Sequence, residues 1–461
     1  MESRRSFIVP LIVGCAQFMH QFDGSVITTA LPAMARSLGE DPLRLNLAIT
    51  CYLLALAVFV PVSGWLVDKF GGKRVFLTAI VIFSLSSMLC GLSHSLAELV
   101  VARTLQGLGG AMMTPVGRII VAKSVPKSEL IQAMNYVTIP ALLGPILGPS
   151  VGGFIVTYFS WQWIFFINLP IGVLGVVLVN AYVPNIRESD VPAFDLGGFA
   201  LVGFTVAAMI LGFEAMGRGL LPAGAIALLI AAGMICGVSY VFHARRKTAP
   251  IIDLSLLRIP TFAASVGGGA LVYIGATSQS FLLALLLQLG FGFTPFQSGL
   301  TTLATAAGSI LIKFTVTPIL RYLGIRRLLI YNTILAAITI FACGLFRVST
   351  PYLFILLTLL VGGFSRSIEY TAIQSLGYAQ MPVGLMARAT SFASMAQQVW
   401  LSFGVGLVAL IMQLDRQWHG HAAIAPDDIA PAYYVIAFLS LVAAGVFARL
   451  PPSAAAALDL R

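Results

Sequence analysis

Charge is what this sequence lacks. Only 10% of its 461 residues are Asp, Glu, Lys or Arg, while 59% are hydrophobic. A soluble domain carries roughly a quarter charged residues. Too few charges are present to coat a water-facing surface, so the series of soluble domains that the length would suggest is excluded. Cysteine is also scarce. Cys15, Cys51, Cys90, Cys236 and Cys343 are far apart, each inside an apolar run. No pair has metal-ligand spacing and no disulfide framework is visible, so all five are expected to be small buried packing residues. Several signatures are missing: there is no G-x-x-x-x-G-K-[ST], hence no built-in ATPase, and neither G-x-S-x-G nor H-E-x-x-H. The polar segments are all shorter than about twenty residues, too short for a soluble catalytic or binding domain. No metal site and no cofactor are expected, and energy has to come from an ion gradient.

What is present is a succession of long apolar runs. A helix crosses the hydrocarbon with ~20 apolar residues. Such runs fall at 7–30, 45–67, 75–94, 97–121, 131–157, 163–183, 195–213, 220–242, 261–289, 297–320, 328–346, 351–375, 389–414 and 430–448, which predicts fourteen spans. The runs are much longer than the alternating segments of a β-barrel. The fold class expected is therefore an all-α polytopic membrane protein. Arg4 and Arg5 precede the first run, which contains Asp23 and ends without a small-residue cleavage pattern, so it reads as a retained span.

Orientation follows from the bases. With the N-terminus inside, nineteen of the 27 Lys and Arg residues fall on inner segments and five on outer ones (Arg36, Arg44, Arg218, Arg347, Arg416). The remaining three, Arg103, Lys313 and Arg366, lie inside spans. Topology thus explains most of the net charge of +10 without a nucleic-acid partner, and both termini are expected in the cytoplasm.

The chain also repeats. Asp68-Lys-Phe-Gly71-Gly-Lys73-Arg74 after the second span matches Arg321-Tyr-Leu-Gly324-Ile-Arg326-Arg327 after the tenth, with Gly and a basic pair at the same spacing. This predicts two halves, 1–185 and 259–461, each a six-helix bundle. Residues 186–258 between them hold two additional helices and a short amphipathic helix at 251–258 on the inner membrane surface. Parallel repeats of this kind suit a rocking transporter.

At this point the sequence resembles the major facilitator superfamily, in particular its fourteen-span drug:proton antiporter branch. The loop motif G-x-L-x-D-[KR]-x-G-[RK]-[KR] is matched by Gly64, Leu66, Asp68, Lys69, Gly71 and Lys73, with Gly72 where a base is usual. The fourth-span motif is matched by Arg103, Gln106, Gly107 and Gly109. The fifth-span motif, which the family associates with exporters, is matched by Gly144, Gly148, Pro149, Gly152 and Gly153. Asp23-Gly-Ser-Val-Ile-Thr-Thr-Ala-Leu-Pro32 and the stretch Trp161 to Pro170, with Trp163 and Asn168, are similar to the branch as well.

The resemblance implies a proton-coupled exporter of amphipathic compounds driven by the proton gradient in a bacterial inner membrane. Gly64, Asp68, Lys69, Gly71, Lys73 and Arg74 would form a conformational latch. The partners implied are a small-molecule substrate, protons and the bilayer; a periplasmic adaptor with an outer-membrane channel is a further candidate, and a monomer is expected. A dedicated exporter of one metabolite or metal chelate is the alternative. An integral membrane enzyme is the remote one, because His20, His94 and His243 lie at three different depths.

The residues themselves support candidate sites. Charges within the bilayer are costly and need a reason. Asp23 and Arg103 sit at matched depths below the outer surface, ~10 Å by helical rise, and are expected to face one cavity. There an Arg favours the carboxylate and desolvation favours the neutral acid, so Asp23 can exchange a proton as the cavity opens. His20, one turn earlier, and Gln106 are expected beside them. In the C-terminal half, Glu369 is a second candidate for proton coupling. Lys313 is a partner for it or for an anionic substrate, and Arg366 is three residues away, in reach of local pairing. Gln398 and Trp400 belong to a polar-aromatic cluster suited to an amphipathic substrate. Small residues at 144, 148, 152 and 153 put a close-approach face on span 5, where Pro145 and Pro149 invite a bend.

Overall fold

A computed structural model describes residues 2–40, 42–126, 129–185, 187, 191–218, 221–293, 295–419 and 429–450. The apolar runs become helices, as they must where a backbone has no water to bond with. In chain order these are α1 (Glu2–Leu38), α2 (Pro42–Phe59), α3 (Ser63–Phe70), α4 (Gly72–Gly91), α5 (Leu96–Ser124), α6 (Leu130–Tyr158), α7 (Trp163–Phe166), α8 (Asn168–Tyr182) and α9 (Leu196–Arg218). They continue with α10 (Ala223–Arg246), α11 (Pro260–Leu285), α12 (Pro295–Leu311), α13 (Val316–Leu323), α14 (Ile325–Gly344), α15 (Tyr352–Tyr378), α16 (Met386–His419) and α17 (Ala430–Ala448). Each of the fourteen expected runs falls on one of these helices or on a closely spaced pair. Among the described residues, ten helices are long and apolar enough to cross a membrane, and up to eleven if the bent α6 is one span.

The chain divides into two compact units. The first comprises residues 1–204, 239–253 and 382–395; the second comprises 205–238, 254–381 and 396–461. The division passes through α9, α10 and α16. The core of the first unit includes Phe22, Val26, Ile27, Cys90, Leu99, Ile164 and Phe165. That of the second includes Leu282, Leu287, Ile340, Leu359, Val408, Tyr433 and Ile436.

The sequence repeat has a geometric counterpart. Gly71, between α3 and α4, has φ 89°, and Gly324, between α13 and α14, has φ 73°. Each N–H closes the preceding helix, onto Val67 O and Leu320 O, both at 2.8 Å. The positive φ reverses the chain at once, which a residue with a Cβ resists.

Other features differ from expectation. Cys90 and Cys343 are buried, but Cys51 and Cys236 are half-buried and Cys15 is exposed, so the packing role expected of all five holds for two. The helix expected at 251–258 is one 3-10 turn, Leu254–Arg258. Eight residues are too few to sustain a surface helix. Instead Ile251 and Ile252 are buried, and the Tyr240 hydroxyl both donates to Ile252 O and accepts from Ile252 N, at 2.7 Å.

Candidate functional site

The most enclosed polar cluster centres on Asp23 in α1. α1 runs eight residues past the expected end of the first span, so Asp23 lies near its middle, fifteen residues before Leu38. Arg103 lies seven residues into α5, or ~10 Å along it. The two meet: Arg103 Nη1 donates to Asp23 Oδ2 at 2.6 Å, with both side chains fully buried. Gln106 Nε2, one turn further along α5, donates to Asp23 Oδ1 at 2.9 Å, and its Oε1 accepts from Arg103 Nη1 at 2.7 Å. Asn168 Nδ2, at the start of α8, donates to the same Asp23 Oδ1 at 2.9 Å and to Ser87 Oγ in α4 at 3.0 Å. Ser87 in turn donates to Phe165 O at 2.9 Å.

Three donors from two helices thus converge on one carboxylate, each a charge-assisted hydrogen bond. The guanidinium lies 4.3 Å from the Tyr52 ring and 5.8 Å from that of Phe165, so its outward side meets π faces. Arg103 Nε and Nη2 have no hydrogen-bond partner. His20 Nδ1 lies 2.8 Å from the Tyr52 hydroxyl. His20, Tyr52, Arg103 and Asp23 therefore form one continuous chain of contacts. In place of the expected cavity the cluster is packed shut, with Asp23, Arg103, Gln106 and Asn168 all at 0% exposure.

Close packing of α6 on α1 holds Asp23 in place. A Cβ on Gly144 would come 2.7 Å from the backbone N of Phe22, and one on Gly148 would run into Ser25 Oγ. Ser25 Oγ also donates to Gly144 O at 3.1 Å. Gly152 is buried and Gly153 half-buried. α6 bends by 41° between Gly148 and Val151. That break contains Pro149, whose missing N–H opens a helical turn and whose side chain lies outside the described residues.

Before the connection between α3 and α4, Asp68 is buried near the end of α3. Its ion-pair partner is Lys123 of α5, at 3.6 Å. The neighbouring bases turn elsewhere. Lys69 Nζ stands 4.8 Å over the Trp65 ring. Lys73 Nζ donates to Asn180 O at 2.7 Å, and Arg74 is exposed. Lys69 points ~100° around the helix from Asp68, and Lys73 and Arg74 lie beyond the reversal at Gly71. The start of α16 packs here too. Ser391 Oγ bonds Pro61 O at 2.8 Å and Val60 O at 3.0 Å, and a Cβ on Gly64 would meet Ala387 O at 2.9 Å. Arg388 stands 3.9 Å from Asp253.

Of the C-terminal candidates, Arg366 and Glu369 line one small pocket of the second unit, and Lys313 stands apart from them. Lys313, in the 3-10 turn after α12, donates to Thr371 Oγ1 rather than pairing with Glu369. Arg366 Nη1 donates to Ser280 Oγ at 3.0 Å, and its guanidinium lies 5.8 Å from the Tyr370 ring. The expected local pair with Glu369 is not formed, because both arginine contacts draw it toward α11 and Tyr370. Trp400 is half-buried against the core of the second unit, its ring 5.9 Å from Phe403, and Gln398 is half-buried beside it in sequence. Tyr52, Ser87, Cys90 and Asn168 join the Asp23 cluster without having been expected there. Only Asn168 carried a signal, as an amide inside an otherwise apolar stretch.

The model of the Major Facilitator Superfamily matches residues 13–405. The chain belongs to that superfamily: it is a multi-pass membrane transporter of all-α fold and not an enzyme. A protein of Escherichia coli O6:H1 named provisionally as multidrug resistance protein MdtD is 37% identical over 444 residues, covering 95% of this chain and 94% of that protein. Its namesake in Pectobacterium atrosepticum is 37% identical over 443 residues, covering 96% and 95%. Among solved structures, the proton:xylose symporter XylE shares the fold at TM-score 0.67 and 15% identity, covering 98% of this chain and 97% of that one. The human organic anion transporter MFSD10 does so at 0.66 and 16%, covering 97% and 99%.

Proposed function

We propose that this transporter exports amphipathic drugs or similar small molecules in exchange for protons, by alternating access, with Asp23 as the coupling acid. The observation that carries this reading is the Asp23 carboxylate, fully buried and held by Arg103, Gln106 and Asn168. Opening the cluster to one side would withdraw some of those donors and admit water. The carboxylate would then take up a proton that reclosure expels. The names of the curated relatives support drugs as the substrate class. The proposed architecture is two six-helix bundles (1–185 and 259–461) joined by 186–258, with fourteen crossings and both termini in the cytoplasm of a bacterial inner membrane. The Asp68–Lys123 pair and the start of α16 supply the inner latch.

The test uses inverted membrane vesicles. Native protein is expected to release protons when a panel of amphipathic dyes is added, and Asp23→Asn to release none. Native protein that neither takes up any dye nor moves protons sinks the drug reading; a fully active Asp23→Asn sinks the coupling role. Uptake of the same dyes without proton movement would point to export by another coupling ion.

A further inference from the structure

Three donors hold the charged Asp23 carboxylate, and a protonated Asp23 needs something else. Its O–H must find an acceptor, because an unmet buried donor is costly. Oδ2 faces Arg103 Nη1 at 2.6 Å, and a guanidinium only donates. The proton therefore belongs on Oδ1, which faces Gln106 Nε2 and Asn168 Nδ2, both at 2.9 Å.

One of those two amides is free to turn. Gln106 Oε1 already accepts from Arg103 Nη1 at 2.7 Å and from Cys90 Sγ at 3.6 Å, so reversing Gln106 would set its NH2 against the guanidinium. Asn168 Oδ1, by contrast, is buried without a hydrogen-bond partner among the described residues. Asn168 Nδ2 has two neighbours, Asp23 Oδ1 and, at 3.0 Å, Ser87 Oγ. A half-turn about the last side-chain bond brings Oδ1 to the same two atoms. A carbonyl oxygen offers two lone pairs where the NH2 offered two hydrogens. Ser87 can follow, since a hydroxyl both donates and accepts: its proton, now on Phe165 O at 2.9 Å, swings to Asn168 Oδ1. Asn168 stands on α8, whereas Arg103 and Gln106 share α5. An opening that draws α5 away leaves Asn168 to meet the acid.

We propose that Asn168 is the positioning residue of the coupling acid: its amide donates to charged Asp23 and turns over to accept from the protonated form, with Ser87 reversing in step. Its role rests on Asp23 being that coupling acid. The proton that bonds to Oδ1 comes from water admitted on opening and returns to water; Asn168 exchanges hydrogen bonds only. The titratable and charged groups facing Asp23 among the described residues are Arg103 on α5, His20 on α1, Tyr52 on α2 and Cys90 on α4. Tyr52 is bonded to His20 and Cys90 to Gln106, so neither supplies the missing acceptor.

The test records infrared difference spectra of the full chain in lipid nanodiscs, isotope-labelled at its asparagine side-chain carbonyls, through an acid titration. In native protein a carboxylic-acid band that Asp23→Asn abolishes is expected to rise together with a shift of one asparagine carbonyl band. Asn168→Leu is expected to abolish the carbonyl shift and keep the carboxylic-acid band. The acid then binds its proton about tenfold more tightly, because the charged form loses the stronger hydrogen bond. Ser87→Ala is expected to keep both bands and displace the carbonyl one. Should Asn168→Leu fail to fold, Ser87→Ala decides, and an undisplaced carbonyl band overturns the proposal. An Asp23 band with no asparagine shift, or a shift that survives Asn168→Leu, overturns it too and leaves the coupling reading intact. The absence of any Asp23-dependent band overturns both.

Discussion

Replacing Asp23 by Asn changes one atom and one charge, and the geometry specifies the consequence. Asp23 Oδ1 accepts from both Gln106 and Asn168, and Oδ2 accepts from Arg103. An asparagine has one carbonyl oxygen to offer. If its NH2 takes the Oδ2 position, it faces a guanidinium donor that stood 2.6 Å from the oxygen. If it takes the Oδ1 position, it faces two amide donors. In either rotamer at least one buried donor is orphaned, and Arg103, already without partners at Nε and Nη2, loses its counter-charge. Breaking a buried pair from one side costs about 3–5 kcal/mol. Removing both charges costs much less, so Asp23→Asn/Arg103→Met is expected to recover most of the loss, with a coupling energy of at least about 1 kcal/mol. The assay is equilibrium unfolding of the native, single-variant and double-variant proteins in one detergent. An Asp23→Asn protein within about 0.5 kcal/mol of native, or a double variant no better than the single one, would refute this account. Proton release by the double variant separates the two roles of Asp23: stability is expected to return and coupling is not.

Other contacts make their own predictions. Gly148→Val is expected to drive α6 away from Ser25 on α1, costing about 1–3 kcal/mol and lowering export beyond the loss of folded protein. Export per folded molecule checks this, and an unimpaired variant would mean that α1 and α6 need not approach so closely. Asp68→Asn and Lys123→Gln are expected to impair transport to similar extents, and the double variant no further, because each breaks the same 3.6 Å pair; additive losses would show that they act separately. Asp195, just before α9, is opposed by burial, but the hydrogen bonds from His243 at 2.8 Å and from Gly198 N at 3.0 Å hold its carboxyl below the ordinary range. A lowered folded-state value contributes stability that is present above the unfolded value, about 3.9, and is lost as pH falls through the folded one. Amide exchange of residues 191–198 is therefore expected to accelerate below about pH 4, and Asp195→Asn to remove that dependence; a native profile flat in acid would contradict it.

The parts legible from sequence were those where the membrane makes composition costly. Apolar runs of span length leave a backbone no alternative to helix, so every expected run is helical. Gly71 and Gly324, each followed one residue on by a basic pair, declared a repeat that the positive φ values display. Asp23 and Arg103 stood out because ionised groups in hydrocarbon are rare and these two are of opposite sign, and they do meet, although α1 runs further past Asp23 than the span boundary implied. The branch motifs named Gln106, Gly144 and Gly148 before their roles against Asp23 and α1 were visible.

Packing settled the rest. Ser87 and Tyr52 help complete the Asp23 cluster, yet neutral polar residues are common in membrane helices, and nothing in the order of residues separates these two from others. Lys123, some fifty residues away, answers Asp68, while Lys69 next door turns to Trp65. Lys313 meets Thr371 rather than Glu369. Each outcome depends on the ~100° turn per residue of a helix and on which neighbour it meets. The apolar pattern says that a stretch is helix in lipid, but a helix apolar on every side carries no stripe to say which face turns inward. Those rotations come only from the fit of one helix against the next.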